Sequence, residues 1–129
     1  MTSDDALRRA AQAAWSTRLA APVAQLIDDV MSEGGAVGNR RLIFTGPDGP
    51  FTIGLDVAAG GVVSIRVETR SAAAAVELWG PDGRAAVLRP AGGGWFADVN
   101  VRGPVRVLLM KQEESSTSVH LQTEWFALP

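Results

Sequence analysis

The chain has 129 residues, a formal net charge of −2 and no cysteine. This length is typical of one domain and suffices to bury a core without disulfides. The lack of cysteine excludes disulfides, thiolate metal sites and a cysteine nucleophile. The small negative charge does not indicate nucleic-acid binding, no apolar run approaches a membrane span, and Asp4 and Asp5 stand where a signal peptide needs basic residues. We therefore expect a cytoplasmic protein that binds neither nucleic acid nor membrane.

The N-terminal region is predicted to be helical from residue 3 to residue 33. Alanine is frequent from Ala6 to Ala21, and Pro22 predicts a kink or the start of a second helix. Apolar residues follow helical spacing on both sides of Pro22. The stripe before it is Leu7, Ala10, Ala11, Ala14 and Trp15, and the stripe after it is Val23, Leu26, Ile27, Val30 and Met31. Residues 1–36 are therefore predicted to form a helical arm.

From Arg41 onward the apolar residues recur every second position, which is typical of half-buried strands. The repeated Gly-Pro-Asp-Gly sequences at 46–49 and 80–83 predict tight turns, because proline presets φ and glycine accepts positive φ. With turns every 8 to 12 residues, residues 40–129 are predicted to form an antiparallel β-sandwich of about seven to eight strands. The protein is thus expected to be mainly β with an N-terminal helical segment.

Three features of this β region are specific enough to test. The runs 95–101 and 105–110 are joined by the three-residue break Arg102-Gly103-Pro104 and predict a central hairpin. The polar run 111–118 predicts a mobile loop, and a last strand is predicted from Val119 to Leu128. The apolar members of the alternating runs are expected to form the core between the sheets. These core residues are Val63, Ile65, Val67, Val99, Val107 and Leu121.

Few residues indicate chemistry. His120 is the only histidine and is expected to face solvent beside Gln122. Asp48 and Asp82 are interpreted as turn residues, and no carboxylate or histidine pair has metal-ligand spacing. We therefore expect no catalytic residue, no metal and no cofactor. Trp79, Trp95 and Trp125 are expected to have core or interface roles, and a stacking platform for a sugar or small ligand is the alternative. Trp15 either docks the helix onto the sheet or anchors a partner.

Several short stretches together resemble a family of small actinobacterial proteins. They are Ala13-Ala14-Trp15, 23–29 (VAQLIDD), 40–44 (RRLIF), 103–107 (GPVRV) and 123–128 (TEWFAL). The family is encoded beside extracytoplasmic-function-type sigma factors and CHAT-domain, caspase-like proteins. It pairs a helical N-terminal segment with a sandwich like the carboxypeptidase regulatory domain. The resemblance implies an anti-sigma or sigma-associated factor, with a CHAT-type protease as the second candidate partner.

The sequence therefore predicts a non-enzymatic regulatory or adaptor protein that binds a protein partner by helix-in-groove recognition. The alternative is a carbohydrate- or small-ligand-binding β-sandwich module. The residues expected to bind the partner are Trp15, Leu19, Val23, Leu26, Ile27, Val30 and Trp125. If a CHAT-type protease is the partner, the polar loop is a candidate cleavage site. Its residues are Lys111, Glu113, Glu114, Ser115 and Ser116.

Overall fold

The computed structural model describes residues 21–31, 39–58, 60–70, 73–114 and 116–128. This part of the chain is built from eleven β-strands. They are β1 (Val23–Met31), β2 (Arg40–Gly46), β3 (Gly49–Val57), β4 (Val63–Glu68), β5 (Ala75–Gly80), β6 (Gly83–Val87), β7 (Arg89–Ala91), β8 (Gly94–Val99), β9 (Gly103–Glu113), β10 (Ser116–Thr123) and β11 (Phe126–Leu128). The prediction of a mainly β protein is confirmed.

The strands form one nearly closed, barrel-like sheet in the order β6-β5-β9-β10-β1-β2-β3-β4-β8-β7, with β11 beside β9. We call β6, β5, β9, β10 and β11 the β9 layer, and β2, β3, β4, β8 and β7 the β3 layer. β1 joins them, because its first residues pair with β10 and the rest pair with β2. The prediction of a sandwich of seven to eight strands is therefore wrong in strand number and connectivity.

The predicted helix is wrong over residues 23–31, which form strand β1. The register shifts between Leu26 and Asp28, so Ile27 is an extra residue in a β-bulge. The bulge resets the alternation, and the apolar residues become spaced by three and four positions as in a helix. β1 belongs to the sheet. Residues 1–20 and 32–36 of the predicted arm lie outside the described residues.

One hydrophobic core fills the space between the two layers. All six residues predicted to form it are buried, from Val63, Ile65 and Val67 in β4 to Leu121 in β10. They belong to a single cluster that takes residues from both layers. The alternation of β4 is regular because its outward residues face water while its inward residues face this core.

The predicted hairpin between residues 95 and 110 is wrong. β8 pairs with β4 and β7, whereas β9 pairs with β5, β10 and β11. The chain therefore crosses from the β3 layer to the β9 layer between these strands. In both runs buried and outward residues alternate as predicted. This alternation does not reveal whether the two strands pair with each other or with different strands.

The predicted loop from 111 to 118 is also wrong except at its tip. β9 and β10 continue as a paired hairpin, with Lys111 opposite Ser118 and Glu113 opposite Ser116. Glu114 lies in the turn, and Ser115 lies outside the described residues. The two Gly-Pro-Asp-Gly turns are confirmed, because they join β2 to β3 and β5 to β6 with positive φ at Gly49 and Gly83.

Candidate protein-interaction surface

Exposed apolar side chains are concentrated on β1. Val23, Ile27 and Val30 have exposed fractions of 45%, 58% and 46%, and we call these three residues the β1 strip. Ile27 is the bulge residue, and Val30 lies opposite Arg41 on the outward face of β2. Leu26 points the other way and packs against the core. The β1 strip therefore contains three of the residues predicted to bind a partner, carried on a strand and not on a helix.

β1 also has an incompletely paired edge. It meets β10 only at Val23 and Ala24, and the Ala24 carbonyl accepts a hydrogen bond of 3.1 Å from the Glu124 amide. Among the described residues, no strand pairs with this edge from Gln25 to Met31. Unpaired strand edges can accept another strand, and bulges and charges restrict which strand fits. The bulge at Ile27 and the adjacent Asp28 supply such restrictions.

An ion pair fixes the C-terminal half of β1 in place. Arg40 donates from Nε and Nη2 to the Asp29 carboxylate at 2.8 and 2.6 Å, and from Nη1 to the Ala127 carbonyl at 3.1 Å. The hydrogen bonds lower the pKa of Asp29 below its ordinary 3.8 and raise the pKa of Arg40. Because these contacts connect β1, β2 and β11, the edge of β1 is held in a defined position.

Two of the three tryptophans considered as an alternative stacking platform lie on the β9 layer. Trp79 is the register partner of Arg106, whose guanidinium carbon lies 4.6 Å from the ring centroid of Trp125. Trp95 is in β8, where it lies opposite the buried Val67 and packs against the core. The three rings therefore do not share one surface.

Trp125 owes its position to a break between β10 and β11. The Thr123 hydroxyl accepts a 3.0 Å hydrogen bond from the Val107 amide, which replaces a ladder bond at the break. The chain then turns outward and leaves Trp125 41% exposed. Trp125 is the fourth predicted partner residue that is exposed. Trp15 and Leu19 lie outside the described residues.

His120 has a partner that the sequence did not predict. Its Nε2 lies 2.8 Å from Oδ2 of Asp48, which is in the turn between β2 and β3. Within the described residues, no hydroxyl group forms a hydrogen bond with His120, so the pair lacks the nucleophile of a hydrolytic triad. The pair connects a turn of the β3 layer to β10. Its members are 72 residues apart, so no local signal could have revealed it.

The outward face of the β3 layer is polar and has a shallow depression of about 240 Å³. Gly54 forms its floor, between Arg41 and Arg66 on the neighbouring strands. Arg66 is already held by Glu68 and by the Gly92 carbonyl. Across the described residues, no group of three carboxylate, histidine or cysteine side chains could hold a metal ion. The depression therefore offers arginine and carboxylate side chains of mixed charge.

Comparisons with known proteins do not place the chain in a family. No protein-family model, no curated protein and no solved structure matches it. In the part of the chain that the structure describes, no helix has the length and apolar character needed to cross a membrane. The functional argument therefore depends on the surfaces described above.

Proposed function

We propose that this protein is a non-enzymatic regulatory or adaptor module that binds a protein partner through β1. The observation that carries the proposal is the exposure of Val23, Ile27 and Val30 along β1, whose edge towards β10 is paired only at Val23 and Ala24 among the described residues. Apolar side chains on such an edge are suited to strand addition, in which backbone hydrogen bonds give affinity and side chains give specificity. This mode replaces the helix-in-groove recognition expected from the sequence.

The resemblance to proteins encoded with sigma factors supports a sigma factor as the first candidate partner and a CHAT-type protease as the second. Both remain proposals, as does a cytoplasmic location. An extended partner segment with alternating apolar side chains would suit β1, and a basic residue on it would complement the exposed Asp28. Cleavage of the chain by such a protease at 111–118 now requires opening of the β9–β10 hairpin, because only its tip lies outside the strands.

The test compares substitutions on β1 with a matched substitution elsewhere. Ile27→Asp and Val30→Asp place charge on the β1 strip, whereas Val87→Asp places it on β6, where Val87 is 52% exposed. Binding to a purified extracytoplasmic-function-type sigma factor and to a CHAT-domain protein is measured by calorimetry. We expect each β1 variant to weaken binding at least tenfold, which corresponds to about 1.4 kcal/mol. Val87→Asp should leave the dissociation constant unchanged.

Two results would count against the proposal. If the β1 variants bind as well as the wild-type chain, β1 is not the binding surface. If Val87→Asp weakens binding as much as the β1 variants do, the effect is one of general stability. If neither purified protein binds the wild-type chain, the two candidate partners are excluded. A photo-crosslinking residue at position 27, compared with one at position 87, would then identify any protein that contacts β1.

The alternative of a carbohydrate- or small-ligand-binding module has one observation in its favour, the depression around Gly54. It would use Phe96 and the arginines of the β3 layer, since the tryptophan platform is not assembled. Gly54→Val would fill the depression with a side chain. An array of glycans that binds the wild-type chain but not Gly54→Val would favour this alternative, and binding lost only with Ile27→Asp would exclude it.

A further inference from the structure

Leu108 is buried although its side chain lies on the outward face of β9, away from the core. It alternates in β9 with Val107 and Leu109, which face the core, so its side chain is on the outward face. Its register partners Glu77 and Gln122 stand beside it in the sheet and not above it. Nevertheless Leu108 is only 1% exposed, and it does not belong to the core cluster. Other protein atoms must therefore cover this side chain on the outward face.

The nearest neighbours of Leu108 on the outward face of the β9 layer are also withdrawn from water. Half-buried apolar side chains surround Leu108, and the neighbouring Gln122 is 1% exposed. The apolar ones are Trp79, Met110 and Val119. The outward face of the β3 layer differs, because its central strands present threonine, serine, aspartate, glutamate and arginine. The outward face of the β3 layer is thus polar, whereas the centre of the other outward face, around Leu108, is largely apolar and buried.

We propose that residues 1–20 of the same chain cover the centre of the outward face of the β9 layer, around Leu108. The chain enters the described structure on this face. The side-chain Nε2 of Gln122 donates a hydrogen bond to the Ala21 carbonyl, and the backbone amide of Gln122 donates one to the Pro22 carbonyl, both at 3.0 Å. The residues before Ala21 are therefore tethered beside Leu108. No other part of the chain outside the description is as long.

The size and pattern of residues 1–20 fit this surface. As a helix they would extend about 30 Å. Leu108 and its buried or half-buried neighbours lie on three adjacent strands, β5, β9 and β10, spaced about 4.8 Å apart. The strip they form is about 10 to 15 Å wide, close to the diameter of one helix. The predicted apolar stripe from Leu7 to Trp15 would face Leu108, and the remaining polar residues would face water. Of the two roles left open for Trp15, this arrangement selects docking onto the sheet.

This inference is independent of the proposed partner. It concerns the outward face of the β9 layer, whereas the partner is assigned to the strip and edge of β1. It also makes the protein a three-layered structure in which the N-terminal segment contributes to stability. A second copy of the chain or another protein could cover the same face, and the experiment below distinguishes these occupants.

The test uses the absence of cysteine from the chain. Leu108→Cys introduces a single thiol in the full-length protein, and its reaction with a chromogenic thiol reagent is timed. Val87→Cys serves as the reference for an exposed position. We expect the thiol at 108 to react at least 100-fold more slowly than the thiol at 87. An equal rate at the two positions would overturn the proposal, because the face would then be open.

A second substitution in the segment identifies the occupant. Ala11→Asp places a charge on the predicted stripe, and Gln12→Asp places the same charge one position away and off the stripe. Combined with Leu108→Cys, Ala11→Asp should accelerate labelling at least tenfold, and Gln12→Asp should not. The proposal would be overturned if neither substitution changed the labelling rate at position 108. It would also be overturned if that rate rose on dilution of the protein. Dilution dependence would assign the face to a second copy.

Discussion

Two glycines within β-strands should respond to the same substitution in opposite directions. A methyl group on Gly94 in β8 would lie 2.8 Å from the carbonyl oxygen of Val67 in β4, whereas ordinary contact begins at 3.4 Å. A methyl group on Gly54 in β3 would have no atom of the described residues within 4 Å. Neither residue has positive φ, so backbone conformation does not separate them. The difference between the two variants therefore measures close packing alone.

The magnitude follows from two opposing terms. Overpacking a well-packed site costs about 1 to 3 kcal/mol. Replacing glycine by alanine also restricts the unfolded chain, which stabilises the folded state by about 0.4 to 1 kcal/mol. Gly94→Ala should therefore lower the free energy of unfolding by about 0.5 to 2 kcal/mol. Gly54→Ala should raise it by about 0.4 to 1 kcal/mol.

Urea unfolding followed by tryptophan fluorescence measures both variants against the wild-type chain. The urea dependence of the unfolding free energy should be the same in all three proteins, so that midpoints can be compared. If Gly94→Ala is as stable as the wild type, β8 does not approach β4 at this point. If Gly54→Ala is destabilised as strongly as Gly94→Ala, the space above Gly54 is filled, and the reasoning about that face is refuted.

Further substitutions test the core, the strand break and the ion pair. Ile65→Ala should lower the free energy of unfolding by about 2 to 4 kcal/mol, because Ile65 is completely buried; a neutral result in urea unfolding would contradict its inward orientation. Thr123→Val leaves the Val107 amide without its acceptor and should cost about 1 to 3 kcal/mol, whereas Thr123→Ser should cost less in the same assay. Because the pKa of Asp29 in the folded chain is below 3.8, the unfolded chain takes up this proton first as the pH falls. The stability contributed by the Asp29–Arg40 pair is therefore fully present above the unfolded pKa and is lost as the pH falls through the folded pKa. Asp29→Asn should be less stable than the wild type at neutral pH and should lose less stability below pH 4, as measured by thermal unfolding across a pH series.

The sequence by itself determined the local features of the β region. The alternation of Val63, Ile65 and Val67 identified the buried face of β4, because a strand between a core and water must repeat every two residues. The Gly-Pro-Asp-Gly turns could also be predicted from the sequence, since the positive φ at Gly49 and Gly83 is required by the turn itself.

Only the tertiary structure decided which strands pair and which faces are covered. The bulge at Ile27 gave β1 a helical spacing, and only its pairing with β2 and β10 reveals it as a strand. The runs on either side of Gly103 show the same alternation whether they form a hairpin or belong to opposite layers. Hydrogen bonds between distant strands settle such choices, as does the contact between His120 and Asp48. The periodicity of apolar residues indicates which face of a strand is buried, but it does not indicate which strands lie beside it. The pairing of strands is therefore known only from the tertiary structure.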